Sequence, residues 1–285
     1  MKLIVQADDF AMTDAVAEGI LKAARDGILT QTGLMTCGPH AEYYAKRILS
    51  ECPHIALGQE INLVSGRPVS NPKDIPTLVD EQGRFIKSRV HKELDLTDPH
   101  HTKYEDSYRE IEAQYLKFIE IVGHKPYFFG LHSYHNDEMM QAMKDIQEKY
   151  DIPGLEDTIG KLNLHIQMGP WYPLKNMPSK DGLVKNDKKE VLSLDYQYSF
   201  DAKEMFFSGK CGYITDHVNE ENTYTMLHTH AGFIDRDLLD MSTLTMTRVM
   251  ELDLLCCDEM KKWIKDNNVQ LVNFRDVMEG KAWNY

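Results

Sequence analysis

Strand-like and helix-like stretches alternate along nearly the whole of this chain, and that alternation limits its fold more than any single motif does. Lys2 to Phe10 reads as an apolar strand. Thr13-Asp14 can then cap a helix whose apolar face is Val16, Ile20, Leu21 and Ala24, closed by Gly27. Gln31 to Thr36 reads as a second strand, Ala41 to Leu49 as a helix and Ile55 to Leu63 as a third strand. The rhythm resumes with a helix over Tyr104 to Val122, a strand over Tyr127 to His132, a helix over Asp137 to Tyr150 and a shorter strand near Ile152. It ends with a helix near Ala202 to Phe207, a strand over Tyr224 to His230, a helix over Ser242 to Asn267 and a closing strand over Val269 to Phe274. Alternation of this kind implies a parallel sheet, and about seven such units suit a barrel better than an open sheet. The expected fold is α/β, a seven-stranded (β/α) barrel variant, with residues 1–285 as a single domain, since no repeat or linker divides the chain.

Two segments break the rhythm. Residues 64–103 carry Gly66, Pro68, Pro72, Pro76, Gly83 and Pro99, and residues 160–200 carry Pro170, Pro173 and Pro178 and read as irregular. Insertions of such length usually cover a site. Trp171 and Tyr172 make the second a plausible substrate wall, although aromatic loop residues are as often packing.

Charge and cysteine content narrow the partners. A net charge of -13, with no Lys/Arg cluster longer than Lys188-Lys189, argues against nucleic acid and against an anionic membrane surface, and favours a neutral or cationic small substrate. The sequence leaves a homodimer open. Five cysteines without a CxxC pair suggest neither a disulfide framework nor a zinc ribbon. The absence of a leader-like or spanning segment is expected of a cytoplasmic protein.

Polar residues gather at the C-terminal ends of the expected strands: Asp8-Asp9, Glu60, His132 and His230. In a (β/α) barrel those ends share the face on which active sites form. Each residue has a plainer explanation, Asp8 or Asp9 as a helix cap, Glu60 as a solvated strand end, His132 as a satisfied core histidine. Together, two carboxylates and an imidazole would make a three-ligand metal site with open positions for water and substrate. Asp8 could then accept a proton from water while a histidine across the site protonates a leaving amine. His228 and His230, two residues apart on a strand, would share one face. Nucleotide-binding, serine-hydrolase and zincin motifs are absent, and no base partner identifies Cys37 or Cys211 as a nucleophile.

Four segments carry a family resemblance. Ala7-Asp8-Asp9-Phe10 is similar to an ADDFG opening, and Gly58 to Leu63 with Ser65-Gly66-Arg67-Pro68-Val69 to a GLHLNL stretch followed by SGRPV. Phe129 to His132 fall at a DSHxHxH run, after a Pro126 that also matches, His230 to Phe233 at HPGY, and Arg248, Glu251, Leu252 and Leu255 repeat RxxELxxL. The chain thus resembles the YdjC-like deacetylases, which include chitooligosaccharide deacetylase and a hopanoid-associated group. The resemblance implies hydrolysis of an N-acetyl group from an amino sugar with one divalent metal ion, Mg2+ or Zn2+, with Mn2+ also suited. It implies Asp9 and His132 as metal ligands, Asp8 as general base and His230 as general acid. The family's second histidine ligand falls on Glu60, which makes the site harder and more anionic. Ala11, Gly130 and Ala231 depart from the family's Gly, Asp and Pro. The same metal could also serve sugar isomerisation or lyase chemistry, and a degenerate member would bind an amino sugar without turnover.

Overall fold

The computed structural model describes residues 1–95, 97–168, 201–208, 213–220 and 223–279. Its first half runs β1 (Lys2–Phe10), α1 (Asp14–Asp26), β2 (Gln31–Leu34), α2 (Ala41–Glu51), β3 (Ala56–Ile61), α3 (Ser88–His91), α4 (Tyr104–Val122), β4 (Phe129–Leu131) and α5 (Asp137–Tyr150). Its second half runs α6 (Leu155–Leu162), β5 (His165–Met168), α7 (Ala202–Phe207), α8 (Tyr213–Asp216), β6 (Tyr224–Thr229), α9 (Arg236–Met241), α10 (Met246–Cys256), α11 (Asp258–Asp266), β7 (Gln270–Leu271) and α12 (Phe274–Glu279). Element ends are set as foreseen: Thr13 Oγ1 accepts the Val16 N–H at the start of α1, and Gly123 closes α4 in the left-handed conformation (φ 84°).

All strand pairings are parallel, in the order β4-β3-β2-β1-β6-β5, with β7 beside the start of β1. The central strands β1, β2 and β3 are buried on both faces, as expected of a parallel sheet covered by helices, whereas His165 and Ile166 of the edge strand β5 are exposed. One face packs on α1, α2 and α10 through residues such as Leu3, Val5, Ile20, Leu21, Ile48 and Leu255. On the inside of the curl, Ile4, Phe128, Met226 and Phe274 form an apolar floor below the strand ends.

The closed seven-stranded barrel needs correction, because the sheet is curled but open between β4 and β5. After α5 the chain makes a single bridge, Gly154 to Phe129, where a further strand would have begun. Helix α6 follows at once, and its Leu155, Ile159 and Leu162 pack against the apolar floor in place of a strand. Other expectations also shift. Residues 160–200 contain β5; the helix expected over Ser242–Asn267 is α10 and α11, broken at Cys257, whose ψ of 152° no α-helix accommodates. The closing strand is only Gln270–Leu271, with α12 starting at Phe274. Trp171, Tyr172 and Cys211 lie outside the described residues. No helix among the described residues is long and apolar enough to cross a membrane.

Candidate active site

A backbone irregularity builds the first half of the site. Ala7 pairs with Thr32 and Phe10 with Leu34, so β1 advances three residues while β2 advances two. The bulge lifts Asp8 and Asp9 out of the alternation that would send them to opposite faces, and bulges next to active sites commonly re-aim side chains this way. Asp9 (φ 72°) and Ala11 (φ 70°) both adopt the left-handed conformation on either side of Phe10. Opposite the bulge, a side chain at Gly33 would lie 3.0 Å from Glu60 Cβ, so its absence leaves room for the Glu60 carboxylate.

Asp9, Glu60 and His132 converge here. Asp9 Oδ1 lies 2.7 Å and Glu60 Oε1 3.1 Å from His132 Nδ1, and Glu60 Oε2 accepts the Asp9 backbone N–H at 2.6 Å. One atom from each side chain falls within 4.8 Å of the others. A single imidazole N–H cannot serve two carboxylates, and buried Asp9 Oδ1 lacks a well-aligned hydrogen bond. An acceptor left over among two carboxylates and an imidazole nitrogen is the donor set a divalent cation takes, so the residues present fit a metal ion. Arg248 holds the other oxygen of Asp9, and its Nε donates to the Leu244 carbonyl at 2.9 Å, which fixes the carboxylate from behind.

Asp8 faces a different set of partners. Gln6 Nε2 donates to its Oδ1 at 2.7 Å, and His228 Nε2 pairs with its Oδ2. Residues Gln6 and His228 sit opposite one another on β1 and β6, so the sheet register brings them together. The His228 and His230 rings stack at 5.7 Å, as their two-residue spacing foresaw. His230 follows β6 directly, and its N–H donates to Glu251 Oε2 at 2.7 Å.

The site's charges are strongly interdependent. Burial opposes ionisation of Asp9, but Arg248 and His132 outweigh it and hold its carboxyl well below the usual range. Asp8 is also lowered, burial again being outweighed, here by the charge and hydrogen bond of His228. Burial, then the charges of Asp8 and Asp9, push Glu60 up to about 8. His132 rises to about 10 because Asp9 and Glu60 overcome the effect of burial. His230 moves the other way, to about 4, chiefly by burial, and Glu251 rises to about 8 for the same reason.

Asp8, Asp9, Glu60, His132 and His230 all line one cavity of about 460 Å³, with Met12, Leu131, Leu239 and Met241 supplying apolar wall. At its rim Lys87, Arg89 and Lys92 of the 64–103 insertion add positive charge. Asp240 lines the same cavity, and its carbonyl accepts from Lys87 Nζ at 2.8 Å. Arg67 supports the insertion by donating to the Gln82 carbonyl, and Asn136 caps α5 by accepting the Met139 N–H. Burial pushes the Cys37 thiol up to about 12, which removes it as a nucleophile.

The sequence profile of YdjC-like proteins matches residues 2–266. The chain belongs to the YdjC-like family. It is 30% identical over 280 residues to carbohydrate deacetylase 2 of Listeria innocua, covering 97% of this chain and 99% of the relative. It is 27% identical to a carbohydrate deacetylase of Thermoanaerobacter pseudethanolicus, covering 95% and 97%. A solved structure from Enterococcus faecalis, described as a candidate cellobiose-phosphate cleavage protein, superposes with a TM-score of 0.67 at 21% identity, covering 97% of this chain and 98% of the other. That likeness supports the fold alone. Arg248 and Glu251 stood out in the sequence only as a helical pattern; their contacts to Asp9 and His230 depend on how α10 docks against β1 and β6.

Proposed function

We propose that this chain is a metal-dependent hydrolase that removes the acetyl group from an N-acetylated amino sugar or short oligosaccharide. The observation that carries the reading is the meeting of Asp9, Glu60 and His132 beside Asp8 and His230 in one cavity. Full-length similarity to proteins named carbohydrate deacetylases supports the substrate class.

In this reading Asp9, Glu60 and His132 hold one divalent ion. When bound, such an ion polarises a carbonyl and lowers the pKa of water toward ~7. Asp8, kept ionised by His228, accepts the proton of the attacking water. Each of its oxygens carries one hydrogen bond, which leaves a lone pair on each for that proton. His230 faces the cavity from the end of β6, with Glu251 accepting its backbone N–H; burial keeps its imidazole neutral, so as general acid it passes to the departing amine the proton that Asp8 takes from water. Leu131, Leu239 and Met241 supply the apolar surface for a sugar face or acetyl methyl.

Purified protein should release acetate from N-acetylated chitooligosaccharides when supplied with Mg2+, Mn2+ or Zn2+. Asp8→Asn should abolish turnover while metal remains bound. Full turnover by that variant would overturn the base assignment, and failure with every metal and acetylated sugar would overturn the reaction class.

A second feature refines the substrate. Lys87, Arg89 and Lys92 suit an anionic substituent, such as a phosphate on the sugar. Reversing Arg89 and Lys92 to Glu should raise KM for a phosphorylated substrate at least tenfold more than for its neutral counterpart. Equal effects on both would remove the anionic substituent from the proposal.

A further inference from the structure

A chain of buried amides runs from the floor of the sheet to Asp8. The backbone N–H of Phe274 donates to Gln31 Oε1 at 3.1 Å, Gln31 Nε2 donates to Gln6 Oε1 at 2.6 Å, and Gln6 Nε2 donates to Asp8 Oδ1 at 2.7 Å. Gln6 is 1% and Gln31 0% exposed, so water does not compete for these groups. A backbone N–H can only donate, and this fixes which way each amide points. Gln31 must turn its oxygen to Phe274, which turns its nitrogen to Gln6 and, weakly, to Met226 Sδ at 4.0 Å. Gln6 must then accept from Gln31, and its own nitrogen is left facing Asp8. Flipping either amide would set two donors or two acceptors face to face in a buried place.

We infer that Gln6 and Gln31 are positioning residues for Asp8, a two-amide relay that fixes one carboxylate oxygen from the sheet interior while His228 fixes the other. The inference rests on the proposed role of Asp8 as base. It gives the two glutamines a task that the sequence did not, since Gln in the middle of an apolar strand otherwise reads as a misplaced polar residue. The start of α12 is capped by Asn273, whose Oδ1 accepts the Asp276 N–H and so leaves the Phe274 N–H free to point at Gln31. Phe274, the first residue of the helix, supplies the donor that sets the whole chain of orientations.

The test is a double-mutant cycle on the metal-loaded full chain. Gln6→Met keeps the length of the side chain and removes the donor to Asp8; kcat should fall about tenfold or more, as for loss of a hydrogen bond to a charged group, with KM and metal affinity unchanged. Gln31→Met should lower kcat less, because Gln6 then loses only its orienting partner. The double variant should be no slower than Gln6→Met alone, whereas two merely structural residues would give multiplied losses. Additive effects, or folded single variants with unchanged kcat, would overturn the relay. A readout independent of turnover separates it from the deacetylase reading. In nuclear magnetic resonance spectra the Gln6 side-chain amide should exchange slowly with solvent, and its proton resonances should move in both Gln31→Met and Asp8→Ala. If those shifts appear but wild type releases no acetate, the reaction is wrong and the relay stands; if Gln6 does not respond to either change, the relay fails whatever the activity.

Discussion

Asp9 and Ala11 bring the two carboxylates to one site by taking up backbone conformations that L-residues disfavour. Ala11 stands where the resembled family has glycine, and a residue with Cβ in the left-handed region costs roughly 1–2 kcal/mol. Ala11→Gly should therefore stabilise the fold, by no more than about 1 kcal/mol once the greater freedom of glycine in the unfolded chain is counted. A shift of the urea midpoint at constant slope would show it; a destabilised variant would mean that the Ala11 methyl has a packing role outweighing the strain. At Glu60 the resemblance implies a histidine, a change of greater consequence. Glu60→His should move metal preference from Mg2+ toward Zn2+ in competition binding, since imidazole is the softer ligand. It should also cost about 1 kcal/mol in metal-free stability, because the Asp9 N–H loses its acceptor. The five polar strand ends were legible in the sequence because polarity at the end of an apolar run is a local signal. The bulge that aims Asp8 and Asp9, and the partners Arg248 and Glu251, were not, because they arise from contacts between residues far apart in the chain.

Among the elements, the 64–103 insertion shows how much of a site depends on a latch at some distance from it. Glu110, buried in α4, accepts the backbone N–H groups of Val69 and Ser70 at 2.9 and 2.8 Å and the Gln114 amide at 2.8 Å. Gln114 in turn donates to the Asn62 carbonyl at 2.7 Å, which ties the insertion to the end of β3, two residues after Glu60. Glu110→Ala should leave two backbone donors without an acceptor, at a cost of about 1–3 kcal/mol each where they remain buried. It should speed limited proteolysis between Val64 and Lys103 while leaving metal affinity intact; unchanged cleavage would show that the insertion is held elsewhere. Periodicity revealed α4 and α5 to within a residue because their apolar stripes are long. The same reasoning missed β5 and ran α10 and α11 together, since a four-residue strand gives almost no period and the break at Cys257 carries neither Gly nor Pro.

At the scale of the whole molecule, the curled sheet gathers several acids into a volume that water scarcely reaches, and this makes stability depend on pH and on metal together. Glu60 and Glu251 ordinarily titrate near 4.5, but burial holds both at about 8 in the folded protein. Carboxyls raised in this way contribute stability that is complete below the unfolded pKa and is lost as pH rises through the folded one. Metal-free protein should therefore lose stability between about pH 6.5 and about 8; below about pH 6.5 the buried His230, held at about 4, opposes the decline, because its imidazole takes up a proton in the unfolded chain that the fold excludes. A bound cation replaces the proton on Glu60 and on His132, which is otherwise held at about 10, so metal affinity must climb over the same interval. Thermal unfolding with and without saturating metal should consequently show a gap that widens with pH. At free metal about 100 times Kd the added stability is about 2.7 kcal/mol. Glu251→Gln provides the control: it should flatten the decline seen in chelator without altering the growth of the gap, because Glu251 holds the His230 backbone and no metal. A gap constant across that range would mean that the ion does not displace the Glu60 proton, and Asp9 and His132 would then have to hold it without Glu60.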